Sequence, residues 1–211
     1  MRKVLLSLLF AVFAASLAPA QGIGQLGARL SGTITNPSGK HNNLGVGGGF
    51  DVGLVYQIPL VKKFYIEPGL LFYYTSMGTD DPVEYDGKLF DASVRNLGLA
   101  VPVNFGYHFN LLPNLKLSAF TGPRFNFNIS SKEYYSPNFE VPAPPSVDLF
   151  DLGWKKFDLQ WGFGIGFTVA KSYFIGVSGD VAVTPLAKYG NKRTHINVYR
   201  NTFAITLGYN F

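Results

Sequence analysis

There is no cysteine among the 211 residues, which removes disulfides, thiolate metal sites and cysteine nucleophiles at once. Charge is also scarce: Asp, Glu, Lys and Arg together make 15% of the chain, and the net charge is +5. Arg2 and Lys3 supply two of those units, and no basic run of the kind that binds nucleic acid follows them. No nucleic-acid partner is expected. After Gln21 no uninterrupted apolar run approaches the roughly 20 residues that a membrane helix needs. The three histidines, His41, His108 and His195, stand in no zinc spacing, and phosphate-loop and dinucleotide fingerprints are missing. No cofactor or metal follows.

What is plentiful is glycine, at 24 residues, with 19 Phe and 12 Tyr. The last nine residues show how they are used. Phe203, Ile205, Leu207, Tyr209 and Phe211 occupy alternate positions, while Ala204, Thr206, Gly208 and Asn210 take the others. Period-two alternation gives a strand with one wholly apolar face. Such a strand at a sheet edge invites aggregation. Closing the sheet into a barrel whose apolar face meets lipid removes both the edge and the water. The opposite terminus agrees: Met1-Arg2-Lys3, an apolar run from Val4 to Leu17, and small residues at Ala18-Pro19-Ala20. This is the pattern of a secretory signal over residues 1–20 cleaved before Gln21, leaving 21–211 as one barrel domain.

Eight alternating segments can be read along the chain. Residues 157–169 are the clearest, with Phe157, Leu159, Trp161, Phe163, Ile165, Phe167 and Val169 facing one way. At about 3.3 Å per residue and a tilt near 45°, that length crosses a hydrocarbon layer. The others run over 24–34, 44–58, 64–74, 94–108, 115–129, 173–185 and 196–211. The expected fold is all-β, an eight-stranded antiparallel transmembrane β-barrel of up-and-down meander topology. Connections alternate in length: those near 59–63, 110–114 and 170–172 are short, and those near 35–43, 76–93, 130–155 and 186–195 are long and polar. Short turns belong to the periplasmic side and long loops to the cell exterior, so both termini are expected in the periplasm. Tyr56, Phe64, Tyr65, Tyr107, Phe109, Tyr173, Tyr209 and Phe211 gather toward one rim. Tyr73, Tyr74, Tyr134, Tyr135, Trp154, Tyr189 and Tyr199 gather toward the other, as two interfacial girdles would. A soluble barrel would carry its polar face outward, whereas here the charged positions point in.

The Ala18-Pro19-Ala20-Gln21 signal end, the eight alternating strands and the terminal Ile205-Thr-Leu-Gly-Tyr-Asn-Phe211 together resemble the small outer-membrane β-barrel families of Bacteroidota. The PorT-like outer membrane protein β-barrel domain group is nearest, with OmpX- and OmpW-like barrels further off. The resemblance spans the mature chain and is architectural. It implies that Phe203, Ile205, Leu207, Tyr209 and Phe211 form a signal read by the barrel assembly machinery. It carries over no site residues.

Projecting the strands places Arg29, Asp51, Glu67, Lys116, Arg124, Asp158, Asp180 and Arg200 inside. An eight-stranded barrel is just wide enough for side chains to fill. An ion pair at 4 Å is worth about 4 kcal/mol in gross Coulomb terms at an effective dielectric of 20. A salt-bridged plug is therefore expected, with a proton or small-ion path along the same groups as the alternative. Inward Gly45, Gly47, Gly49, Gly53, Gly162, Gly164 and Gly166 are expected to make room for Tyr65, Tyr73, Phe120, Phe174 and the long charged chains. Outside the barrel, Asp80, Asp81, Glu84, Asp86 and Asp91 form an acidic loop without the order of a calcium loop. Lys188, Lys192, Arg193 and His195 form a basic one able to meet lipopolysaccharide phosphates. The proline-rich loop carrying Tyr134, Tyr135, Phe139, Leu149, Phe150 and Trp154 is either a partner surface or a cap folded over the mouth.

The expected function is a non-enzymatic outer-membrane barrel with a filled lumen, presenting loops and serving as a structural, secretion-complex or envelope-complex component. Its surroundings would be outer-membrane lipid and lipopolysaccharide. A small porin-like transporter of ions or small solutes is the alternative. A lipid-modifying enzyme ranks below both, because no nucleophile-and-base motif surrounds His195.

Overall fold

The computed structural model describes residues 24–39, 43–85, 87–136, 142–189 and 196–211. The expected signal segment 1–20, His41, Asp86, Phe139, Lys192, Arg193 and His195 lie outside them. The strands are β1 (Gln25–Ser38), β2 (Leu44–Pro59), β3 (Phe64–Thr79), β4 (Val83–Tyr85), β5 (Lys88–Phe90) and β6 (Ala92–Leu112). They continue with β7 (Leu115–Tyr135), β8 (Val147–Asp148), β9 (Phe157–Val169), β10 (Tyr173–Ala182), β11 (Ala187–Tyr189) and β12 (Ile196–Asn210). Eight of these form one antiparallel sheet in the order β1-β2-β3-β6-β7-β9-β10-β12. β12 pairs back onto β1, from Gly27–Asn210 to Ser38–Tyr199, so the sheet closes. Every barrel strand lies between its neighbours in sequence, and closure leaves no bare edge among these eight.

Alternation sets which side chains see the outside. Leu30, Phe163, Ile165, Ile205 and Leu207 are each about half exposed or more, while Arg29, Ser31, Asp158, Gln160 and Ala204 between them are buried. The outer face is thus apolar and the inner face polar, the arrangement that suits lipid outside. Polar groups that do point outward are satisfied locally: Trp161 Nε1 donates to Thr121 Oγ1 at 2.8 Å, and that hydroxyl donates to the Gly162 carbonyl at 2.8 Å. At the short-turn end Phe64, Tyr107 and Phe109 pack edge to face, as do Tyr173, Tyr209 and Phe211. Three expected girdle members are elsewhere: Tyr65 and Tyr73 point into the lumen at 3% and 2% exposure, and Trp154 is buried in the loop layer. Parity puts the two tyrosines inside, because each alternates with an outward aromatic, Phe64 or Tyr74.

Several boundaries differ from the periodic reading. β3, β6 and β7 run past their apolar segments, so residues 76–79, 92–93 and 130–135 of the expected 76–93 and 130–155 loops belong to the barrel wall. β4 and β5 make a small hairpin on top. A register shift at Leu97/Gly98 lets Leu97 face Ser130 and Gly98 face Asn128, leaving Ile129 as the extra residue. The bulge flips the phase of β7: Asn128 and Ser131 both point inward. At the β9–β10 turn the central residues are Ala170 and Lys171, at φ 49° and 66°, closed by a bond from Ser172 N–H to the Val169 carbonyl at 3.2 Å. This is a mirror-type hairpin turn built without glycine or asparagine.

The inward glycines divide into two uses. A Cβ on Gly164 or Gly166 would strike the rings of Phe120 or Phe174, and one on Gly98 or Gly106 would strike Tyr73 or Tyr65. Gly47, Gly49 and Gly53 instead lie against the backbone carbonyls of Ser76, Tyr74 and Leu70 on β3. Their role is the close approach of two strands, not space for side chains.

Candidate functional site

Charge inside the barrel is organised in two levels. In the level toward the long loops, Arg124 Nη1 meets Asp51 at 2.8 Å and Asp180 at 3.6 Å, and its Nε donates to Asn126 Oδ1 at 3.1 Å. Arg200 Nη2 meets both oxygens of Asp158, at 2.8 and 3.1 Å, and lies over the Tyr73 ring. Asp158, only 1% exposed, also accepts from Asn126 at 3.0 Å and Asn128 at 3.1 Å. Tyr73 donates to Asn128 Oδ1, while Gln160 accepts from Asn126 at 2.9 Å and donates to the Arg200 carbonyl at 2.6 Å. Buried ions thus have charged and neutral partners, the condition under which burial is tolerated.

The second level lies toward the short turns. Arg29 bonds Glu67 at 3.2 Å and Asn210 at 2.8 Å and stacks over Phe174. Gln57 Nε2 donates to Glu67 at 3.3 Å, and its Oε1 lies 3.1 Å from His108 Nε2. His108 Nδ1 shares a 2.9 Å hydrogen bond with Ser118 Oγ, and the imidazole stacks on Tyr65. Between the levels is a cavity of about 70 Å³ whose lining includes Arg29, Glu67, Asp51, Asp180 and Arg124. Its size suits a couple of water molecules.

The mouth at the long-loop end is closed by apolar packing. Met77, Val94, Leu149, Trp154, Leu186, Ala187 and Val198 form one buried cluster, with Leu44 and Phe150 against it. Backbone bonds stitch this cap to the wall: Leu149 N–H to Ser131 carbonyl at 2.9 Å, Lys155 N–H to Leu186 carbonyl at 2.8 Å, and Leu186 N–H to Val198 carbonyl at 2.7 Å. β8 adds pairs from Lys132 and Glu133 to Asp148 and Val147, and Trp154 bridges to Ala187.

Seven of the eight expected lumen charges come together in these ion pairs. Lys116 does not: it is half-buried at the start of β7, opposite Asn110 and Thr168, and joins no ion pair among the described residues. In the proline-rich loop, Leu149 and Trp154 belong to the cap, and Phe150 packs against it. Tyr134 and Tyr135 are the end of β7, not loop. Asn126, Asn128, Gln57 and Ser118 are lumen partners that the sequence reading does not name; their inward parity is the available signal. Among the described residues no three His, Asp or Glu side chains converge as a metal site. Phe211, at the end of the closing strand, donates its N–H to the Leu26 carbonyl at 2.9 Å.

A closed antiparallel barrel with a lipid-compatible exterior and a polar, filled interior is a membrane-spanning β-barrel protein. Residues 20–188 match the family model described as outer membrane protein beta-barrel domain, and the chain belongs to that family. It is an outer-membrane protein. Solved structures similar to it include Ail, the attachment invasion locus protein of Yersinia pestis, in complex with the heparin analogue sucrose octasulfate. That match has 14% identity, covers 90% of this chain and 99% of Ail, and has a TM-score of 0.49. Neisserial surface protein A matches at 11% identity over 88% of this chain and 97% of its own, with a TM-score of 0.46. OprG from Pseudomonas aeruginosa matches at 10% identity over 90% and 96%, with a TM-score of 0.46. No curated protein sequence matches the chain.

Proposed function

We propose that this chain is a non-enzymatic, non-conducting barrel that anchors a set of extracellular loops and serves as a structural component of an envelope or secretion complex, as PorT-like barrels do by resemblance. The observation that carries this reading is the double closure of the lumen, by ion pairs at mid-height and by the Leu149–Trp154–Leu186 cap above. In the proposed orientation residues 1–20 are removed, both ends of the mature chain lie in the periplasm, and the long loops face outward. The assembly machinery reads the Phe203–Phe211 pattern. Against an enzymatic role, the described Ser118–His108 contact has Gln57 rather than a carboxylate on the second imidazole nitrogen, and Ser118 is 2% exposed.

The test is conductance in planar bilayers together with liposome swelling by small sugars. Neither should exceed protein-free membranes. A reproducible unitary conductance, altered by Arg124→Ala or Asp158→Asn, would overturn the closed-lumen reading in favour of a small transporter. Affinity purification of the barrel from native outer membranes, tagged after Gln21, then identifies the complex; recovery of the barrel by itself would refute the component role.

A further inference from the structure

On the outer wall, just beyond the last apolar position, two cations face each other across neighbouring strands. Arg95 on β6 is directly opposite Lys132 on β7. Both point outward, since Val94 and Asn96 on β6 and Ser131 on β7 are buried in the opposite direction. Like charges directly opposite on one sheet face repel. The bulge after Asn128 creates this juxtaposition, because it shifts the phase of β7 and so brings Lys132 to the outside. Arg95 is exposed and its guanidinium lies 4.5 Å from the centroid of the Tyr134 ring, two residues beyond Lys132 on the same face. The ring face positions the guanidinium, whose N–H groups make no side-chain hydrogen bond to the described residues.

Neither cation joins an ion pair among the described residues. The nearest acid by register is Asp148, opposite Lys132 across its other edge, and that carboxylate accepts the Phe150 N–H at 2.9 Å. On the β3 side Arg95 faces Ser76. Directly below, two residues along each strand or nearly so, are Leu97 and Ile129, the latter 58% exposed on the lipid face. Two strand residues tilted near 45° span about 5 Å along the barrel axis. The pair therefore stands at the depth where a lipid phosphate begins and acyl chains end.

We infer that Arg95, Lys132 and Tyr134 form a binding site for the phosphate of an outer-leaflet lipid A headgroup, with Leu97 and Ile129 beneath it receiving the acyl chain. This rests on the proposed orientation, with long loops outward. A phosphate oxygen between the two cations turns their repulsion into two charge-assisted contacts. None of these residues belongs to the basic 186–195 segment.

The test uses the purified barrel in mild detergent, titrated with phosphorylated lipid A and with the same lipid after phosphatase treatment, and read by native mass spectrometry. Phosphorylated lipid A should be retained about 10-fold more tightly, and Arg95→Gln/Lys132→Gln should abolish that preference. Equal retention of both lipids, or an unchanged preference in the double variant, would overturn the site. Inorganic phosphate at matched concentration should displace little lipid; full displacement would overturn the acyl contribution from Leu97 and Ile129. Orientation is checked separately. Because the chain has no cysteine, Lys88→Cys gives a single thiol on β5 for a membrane-impermeant maleimide in intact cells. Labelling supports the outward loops; protection in intact but not lysed cells overturns the orientation whatever the lipid titration shows.

Discussion

Replacing Arg124 with alanine tests whether the lumen network holds the barrel together. The guanidinium is shared by Asp51 at 2.8 Å and Asp180 at 3.6 Å. Removing it leaves two carboxylates in the same lumen with no cation between them. Breaking a buried pair from one side costs about 3–5 kcal/mol. For a chain of this size that corresponds to a fall of about 6–20 °C in the melting temperature. The assay is thermal unfolding of the detergent-folded barrel, followed by tryptophan fluorescence and by the mobility shift between folded and unfolded forms on gels. Adding Asp51→Asn and Asp180→Asn to Arg124→Ala should recover most of the loss, since the penalty comes from stranded charge. An unchanged melting curve for the single variant, or no recovery in the triple, would refute the reasoning. Arg29→Ala should cost less, because Glu67 keeps the Gln57 donor at 3.3 Å.

Three further outcomes are expected. Trp154→Ala should lower stability by about 3–5 kcal/mol and expose the 142–156 segment to protease, without conductance while the ion pairs stand; limited proteolysis and bilayer recording check both parts. Asn-Gly in place of Ala170-Lys171 should raise stability by about 1 kcal/mol, because those positions take up positive φ; a lower urea midpoint would contradict the turn assignment. Burial raises the pKa of half-buried Glu133, near the top of β7, above its usual value. The folded state then binds the proton more tightly, so stability present in acid is lost as pH rises from the ordinary carboxylate range through the raised value. Glu133→Gln should flatten that slope in urea titrations at several pH values.

The strands were legible because lipid and lumen impose opposite chemistry on alternate residues, as in Phe157–Val169. Most of the seven paired lumen charges were legible for the same reason: a charge between two apolar residues, such as Asp51 between Phe50 and Val52 or Asp158 between Phe157 and Leu159, has one face available. Neutral partners such as Asn126, Asn128 and Gln160 carry no comparable mark, since Asn and Gln also populate loops and turns. The bulge at Ile129 was hidden, because a one-residue phase change looks like the end of a strand. So did the tall walls of β6 and β7, where alternation weakens once the outside is water. The Gly47, Gly49 and Gly53 run reads as spacious in sequence, yet it serves the approach of the β3 backbone. The cap depends on Leu149, Trp154 and Leu186, whose meeting is set by tertiary packing that no local period encodes.

The seam between β1 and β12 also dictates an order of events. Each hairpin joins neighbours in sequence and can form early, but the bond between Arg29 and Asn210 links residues 181 apart. Bringing such distant ends together costs about 5 kcal/mol of chain entropy, recovered only when the seam zips. Until then both β1 and β12 are bare edges in contact with either water or lipid, and Arg29 lacks its Asn210 and Phe174 partners. Maturation of this molecule is therefore decided by a single late docking step. A cell that shields those two edges until they meet controls whether the chain becomes a ring or an aggregate.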